Sequence, residues 1–350
     1  MDVLVIGAGQ AGLAAARALQ QTKLTSRVYE RHERVGDAWR RRFDSLVLFS
    51  PRRYSHLPER SMPGDPDGYP TKDEMGGYLE SYARSFNLPV ATGEGIVRLS
   101  LTDGRFTART SRGNLLEASA AIVAAGAFQH PRIPAFARRL AGRVVQLDAS
   151  TYRHPGQLPS GRVAVVGAGG SGRQIALEVS ATRPVWLSTG RTQIIVPQCL
   201  LGTDIIRLFI RLGVLHADKR SIIGRLIRWR EVIPGWHLRG RGLKGRGIRL
   251  VRRAVDAADD RLWFANGTSA AFKAVIWAAG YVDDTSWLAV SGALDAQGNI
   301  LEERGVSPIP GLFYVGRSWQ NSRASALVYG VGAEAGSLVK QVNTYVQARR

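Results

Sequence analysis

Cysteine is almost missing from this chain: Cys199 is the only one in 350 residues. An internal disulfide is therefore excluded, and so is a redox dithiol or a zinc site built on several thiolates. Cys199 itself is expected to be a small buried hydrophobe. Histidine is scarce, with six in all, and they form no cluster that would point to a metal or to Ser–His–Asp chemistry. His56, His130 and His154 lie singly, the last two beside Pro131 and Pro155, and structural roles are expected for them. Long apolar runs are absent too. No stretch of eighteen residues is apolar and free of charge, so no segment is expected to cross a bilayer. The first strand begins at Val3 and leaves no room for a secretory leader, so a cytoplasmic location is expected.

Acidic residues are in short supply, 28 against 48 basic, for a net charge of +20. Residues 205–253 alone hold 14 basic and 2 acidic side chains. Such a surplus suits a cofactor phosphate, an acidic protein, a lipid surface or nucleic acid, or is simply a solvated cationic face.

What is present is a repeated phrase. Residues 3–12 read VLVIGAGQAG and residues 163–172 read VAVVGAGGSG. Each is a short β-rich run, a GxGxxG turn and an Ala- or Leu-rich helical stretch, which is the dinucleotide-binding pattern. Gly7 and Gly167 permit the tight turn, Gly9 and Gly169 let backbone approach a pyrophosphate, and Gly12 and Gly172 let helix pack on strand. Unpaired N–H groups at the helix start then face the phosphate charge. Glu30 ends the second strand of copy one and suits a free ribose hydroxyl. Copy two has Ser188, Thr189, Gly190 and Arg191 there. No carboxylate repels a 2′-phosphate and Arg191 can pair with one, so NADPH is expected, with NADH also admitted.

The repetition extends further. Meanders with tips at 102–105 and 111–114, and again at 257–260 and 265–268, lead into AIVAAG (121–126) and VIWAAG (275–280). PGLFYVG (310–316) reads as a strand returning to the first unit, and 322–346 as a long helix behind it. The expected fold is α/β: two nested Rossmann-type dinucleotide-binding domains, each with a β-meander, the second inserted into the first. A chain of this length has room for both. The first domain is expected at 1–158 and 281–350, and the second at 159–280.

The local words narrow the family. GDAW (36–39) resembles a GGxW signature, with Asp37 in place of a glycine. SLVLFSPRRYSHLP (45–58), the stretch 68–90, AAGAFQHPRIP (124–134), the glycine turn of copy two and PGLFYVGRSWQNSRASAL (310–327) resemble the short bacterial flavin-containing monooxygenase-like proteins. These are two-domain FAD/NAD(P)H flavoproteins of the pyridine nucleotide-disulfide oxidoreductase superfamily, and the resemblance covers nearly the whole chain. It implies FAD at Gly7, Gly9, Gln10, Ala11, Gly12, Glu30, Arg31, Gly36, Asp37, Ala38, Trp39, Ser45, Leu48, Phe49, Ser50, Tyr54, Val97, Ala125, Gly126, Gly316, Gln320 and Ala326. It implies NADPH at Gly167, Gly169, Gly170, Ser171, Gly172, Ser188, Thr189, Arg191, Ala279 and Gly280. No metal is expected. Candidates beside the reacting centre are Ser50, Arg52, Gln320, Asn321 and Arg323, with Trp319 nearby. For Tyr54 and Trp319 plain core packing competes with flavin contact, and for Arg52 and Arg53 a surface role competes.

The implied activity is an NADPH-driven monooxygenase that forms a C4a-(hydro)peroxyflavin and oxygenates a small sulfide, amine or ketone, with dioxygen as co-substrate. Departures from the family pattern keep alternatives open. Leu140, Asp148 and Ala149 replace an aromatic, a histidine and a serine of the fingerprint, while Gly142 and Tyr152 remain. No asparagine occurs within 45–58, and Arg317 follows Gly316 where many relatives have aspartate. An oxidase or reductase passing electrons to quinone, a ferredoxin-like protein or dioxygen is the runner-up, and a flavin-binding redox sensor or membrane-associated regulator the third reading. A homodimer is left open.

The basic insert, about 197–247, places Ile205, Leu208, Phe209 and Leu212 on one helical stripe, with Arg207 and Arg211 on another face; SIIGRLIRWR (221–230) repeats that character. A lid or domain-packing role suits it better than contact with anionic lipid. The run at 239–253 lacks aromatics, so nucleic acid is not an expected partner.

Overall fold

The structure is a computed structural model, and it describes residues 1–190, 193–230 and 232–350. Two five-stranded parallel sheets organise it. In the first, Leu312–Tyr314, Ala120–Val123, Val3–Ile6, Ser26–Tyr29 and Val90–Ala91 lie in that order. In the second the order is Arg249–Val251, Val185–Ser188, Val163–Val166, Ala274–Trp277 and Val145–Asp148. Strands Val3–Ile6 and Val163–Val166 are buried at every position, as their unbroken apolar runs require of a sheet covered on both faces.

Each sheet is covered alike. One face of the first packs on helices Gln10–Gln20, Lys72–Ser85 and Val328–Gln347, through residues such as Leu13, Met75 and Val342. The other packs on an antiparallel meander of Ile96–Thr102, Arg105–Thr110 and Leu115–Ala118, through Leu99 and Phe106. The second sheet sets helix Gly170–Ser180 on one face and the meander Ala254–Ala258, Arg261–Phe264 and Ser269–Ala271 on the other. The expected nested α/β plan is observed, including the returning strand beside Ala120–Val123.

Four expectations need correction. Strand Val145–Asp148 hydrogen-bonds to Ala274–Trp277 as the edge of the second sheet, so a boundary at 158/159 falls too late. The chain leaves and re-enters the first unit side by side instead, with Pro131 opposite Tyr281 and His130 opposite Val282. The stretch 248–255, which reads as one strand in sequence, is two, because Arg249–Val251 joins the sheet and Ala254 opens the meander. The last helix begins at Val328, since 323–326 form a separate 3-10 turn capped by the Ser322 hydroxyl. Cys199 is exposed on a two-residue strand of the insert rather than buried.

Candidate functional site

Both glycine turns sit where parallel strands end and a helix begins. Gly7 has φ +101° and Gly167 φ +111°, backbone that side chains rarely adopt. A Cβ on Gly12 would lie 1.8 Å from the Gly7 carbonyl oxygen, and one on Gly172 would lie 1.9 Å from that of Gly167. These are the strand–helix contacts the spacing demands. Gly9 is different: a Cβ there meets nothing within 4 Å, so it faces open space. Gly9 and Gly169 are the N-caps of their helices, and neither helix start is capped by a side chain. Each turn therefore presents backbone donors to an open cradle.

At the end of strand Ser26–Tyr29, Glu30 is buried, and its two oxygens accept from Ala8 N–H at 2.8 Å and His32 N–H at 2.9 Å. The carboxylate is thereby fixed beside the first turn with lone pairs to spare. Burial also holds the His32 imidazole below its ordinary pKa. At the matching point of copy two the chemistry is turned inward. Ser188 Oγ donates to the Arg252 carbonyl at 3.1 Å, and Thr189 Oγ1 donates to that of Val251 at 2.9 Å. Each hydroxyl has one proton, so neither retains a donor for a phosphate. Arg191 lies outside the described residues.

The segment 45–54 runs between the two turns. A Cβ on Gly170 would stand 3.0 Å from the Phe49 ring, so that ring packs on the start of the second helix. Gln174 Nε2 reaches the Val47 carbonyl at 3.4 Å and Gln198 Nε2 reaches that of Phe49 at 3.0 Å. Leu48 is buried, Phe49 and Ser50 are half-buried and Ser45 is exposed. Trp39 Nε1 donates to Gln10 Oε1 at 3.2 Å, which fixes the Gly36–Trp39 turn against the first cradle; Gly36 itself has φ +88°. Ala125 and Gly126 follow strand Ala120–Val123, and a Cβ on Gly126 meets open space. Arg31 and Ala38 are exposed, and Val97 is exposed beside a bulge in the first meander.

Several candidate catalytic side chains are committed elsewhere. Ser55 Oγ donates to the Ser50 carbonyl at 2.9 Å, which leaves the Ser50 hydroxyl to donate to Ser55 Oγ at 2.8 Å. Arg52 pairs with Glu74, and Arg53 pairs with Asp67 at 2.6 Å. Gln320 is buried, with Nε2 on the Tyr314 carbonyl at 2.6 Å and Oε1 accepting from Arg317 N–H at 3.3 Å. It braces the closing segment instead of facing an opening. Asn321 is half-buried and its Oδ1 has no hydrogen-bond partner. Arg323 and Ala326 lie in the 3-10 turn. Tyr54 stacks edge-on against Tyr329 at 5.8 Å, the packing role. Trp319 has φ +59°, a conformation bulky side chains avoid, and such strain collects at functional segments. Periodicity gives no sign of it.

Between the linker and the closing segment lies a cleft of about 670 Å³, lined by residues including Phe128, Arg132, Gly280, Tyr281 and Arg317. Arg317 forms an ion pair with Asp283 at 2.9 Å. The sequence reading missed Phe128 and Tyr281, whose rings meet edge-on at 5.3 Å with Arg42 over both. Fingerprint residue Asp148 accepts from Ser150 N–H and Thr151 N–H, closing its own turn, and Tyr152 is buried with its hydroxyl on Glu178. Among the described residues no group of three His, Cys, Asp or Glu side chains could hold a metal.

Two open dinucleotide cradles in one chain, with segment 45–54 packed on the second, define an oxidoreductase of the two-site type. The pattern of the pyridine nucleotide-disulphide oxidoreductase family matches residues 4–194, and the chain belongs to that family. It is 41% identical over 343 residues to an oxidoreductase designated CzcO-like from Geobacillus kaustophilus, covering 98% of each chain. It is 35% identical over 342 residues to the CzcO oxidoreductase of Bacillus subtilis, covering 98% of this chain and 99% of that one. Among solved structures, a flavin-containing monooxygenase from Stenotrophomonas maltophilia superposes with a TM-score of 0.82 at 28% identity over 98% of both chains.

Proposed function

We propose that the chain is an FAD-dependent, NADPH-using monooxygenase acting on a small sulfide, amine or ketone. The observation that carries this reading is the placement of segment 45–54: Leu48 joins the buried core cluster of the first unit while the Phe49 ring packs on Gly170 of the second, so two dinucleotides would meet beside it. The described residues fit FAD in the first cradle. Gly9 leaves room for a pyrophosphate, the first helix offers uncapped N–H groups, and Glu30 is held ready for a ribose hydroxyl. The second cradle fits a nicotinamide dinucleotide in the same way through Gly169. When bound, FAD supplies the redox chemistry, taking a hydride from the nicotinamide and activating dioxygen.

This chain's residues orient and shield. Glu30 and the Gly7–Gly12 turn fix one end of the flavin dinucleotide, and segment 45–54 and the strained closing turn at Trp319 cover the reacting end and exclude water. Gln320 holds that turn through Tyr314 and Arg317. No residue has to act as a nucleophile, which agrees with Ser50 and Gln320 being committed to their own loops.

One observation favours the oxidase or reductase reading. Asp148 Oδ1 is tied into its own turn by Ser150 and Thr151, and a carboxylate at that fingerprint position cannot take the cationic or tautomeric role of an imidazole. A turnover panel separates the readings. Purified protein should be yellow and bleach when NADPH is added without oxygen. In air it should convert a sulfide, an amine or a ketone with little peroxide release. Stoichiometric peroxide without oxygenated product supports the oxidase, and colourless folded protein that binds neither dinucleotide defeats both.

A further inference from the structure

The insert splits into two parts with opposite orientations. Helix Ile205–Arg211 turns its apolar side inward, where Ile205 and Ile206 are buried against Ala324, Leu327 and Tyr329. Asp204 caps this helix through Ile206 N–H at 2.8 Å and accepts the hydroxyl of Tyr69, tying it to the first unit. Burial and that bond push the Tyr69 phenol above its ordinary pKa. This is the domain-packing role expected of the insert, although Leu212, expected on the same stripe, lies past the helix end and is 67% exposed.

Helix Ile222–Trp229 does the reverse. Its only buried residue is Gly224, and a Cβ there would lie 2.0 Å from the Asp218 carbonyl oxygen. The helix therefore packs through a glycine on the turn that precedes it, which is held to the closing segment by Lys219 N–H on the Asn321 carbonyl at 2.8 Å, and turns its apolar side outward. Ile222 is 79% exposed, Ile223 55%, Leu226 56% and Trp229 66%. At 100° per residue Ile222, Leu226 and Trp229 fall within one narrow ridge with Ile223 beside it; Arg225 borders the ridge on its other side, and Arg228 lies further round beyond Arg225. Both arginines are exposed, and no carboxylate pairs with either, or with Arg211, among the described residues. Arg230 stacks on the Trp229 ring at 4.6 Å. Asp218, the nearest acidic residue among those described, is taken by Arg304 at 3.0 Å.

A soluble surface gains nothing by exposing four large apolar side chains in a row, and such ridges mark interaction sites. An apolar ridge edged by unpaired arginines and carrying a tryptophan matches the boundary of a bilayer, where acyl chains take the ridge and phosphates take the guanidiniums. We propose that helix Ile222–Trp229 docks this protein on an anionic membrane surface, lying in the plane of the headgroups. The charge decides against a second copy as occupant, because face-to-face pairing would set Arg225 and Arg228 against their own images within a segment of surplus positive charge. Docking there is independent of what the flavin oxidises.

Vesicle flotation with the FAD-loaded, full-length protein tests it. Wild-type protein should float with vesicles of three parts phosphatidylcholine to one part phosphatidylglycerol and stay down with phosphatidylcholine alone. The variant Ile222→Glu/Leu226→Glu and the variant Arg225→Glu/Arg228→Glu should each cut the floated fraction about tenfold. All four positions are exposed, and retained yellow colour and NADPH-dependent bleaching report that each variant is folded. Raised salt should release the wild-type protein in part. Failure to float with anionic vesicles would overturn docking, as would equal recovery with neutral ones or flotation indifferent to both variants. A lipid-free dimer in sedimentation that Leu226→Glu dissociates would assign the ridge to a second copy, and overturn it as well.

Discussion

The first and second dinucleotide units share a sheet order, a glycine turn and a meander, yet they differ at the end of the second strand. In the first unit Glu30 reaches back and is held by two backbone donors beside the cradle. In the second, Ser188 and Thr189 bind the neighbouring strand and offer no hydroxyl proton to the cradle. The scaffold is thus set by glycine geometry, and ligand preference by what stands one residue beyond a strand. The outer edges differ as well. The first sheet is completed by the chain that follows its unit, Leu312–Tyr314, and the second by the chain that precedes it, Val145–Asp148.

The glycines give the strongest way to break the symmetry. Gly12→Val and Gly172→Val each drive a side chain into a carbonyl, at a cost of about 3 kcal/mol or more. Gly12→Val should yield protein without FAD or without a fold, whereas Gly172→Val should keep its yellow colour and lose bleaching by NADPH; absorbance spectra and thermal unfolding read both. Glu30→Ala comes next. It leaves the Ala8 and His32 N–H groups unpaired, worth about 1–3 kcal/mol, and should shed FAD on dilution, as the cofactor content after gel filtration would show. The bridge between the units is sharpened by Phe49→Ala. FAD content should hold while the stopped-flow rate of reduction by NADPH falls about tenfold, because the start of the second helix loses the ring packed on it.

The smallest expected effect lies behind the closing segment. Burial raises the Glu334 carboxyl above its ordinary value, and bonds from Ser325 and Asn321 pull it only part of the way back. A raised value in the fold means that the protonated form is favoured there. The associated stability is complete below the carboxyl's unfolded pKa and is lost as pH rises through the folded one. Glu334→Gln should flatten the decline in thermal midpoint between weakly acidic and neutral buffer.

Much of this plan was legible in the residues because glycine spacing is a steric code. Gly7, Gly12, Gly167 and Gly172 are needed by backbone contacts that follow from the strand–turn–helix itself. What escaped reading depends on direction. Period 3.6 shows that Ile222, Leu226 and Trp229 share a face but cannot show that the face points to water. Hydroxyls at 188 and 189 look available until the neighbouring strand arrives 60 residues later to take their protons. Cys199 resembles any small buried residue in composition, yet a two-residue strand in the insert leaves it outside. The break at Leu327 was hidden because 322–346 is rich in small helix-compatible residues, and the Ser322 cap competes for the same backbone.

The paired strands at Pro131 and Tyr281 have one more consequence. Departure and return run as a two-stranded ribbon only one ladder wide, so about 150 residues hang from the first sheet like a pendant on a clasp. A short reverse turn placed there would close the remaining chain without parting any strand of the first sheet, and the excised piece would begin and end at neighbouring points. That is the geometry through which a duplicated module can be grafted into its own parent and later exchanged.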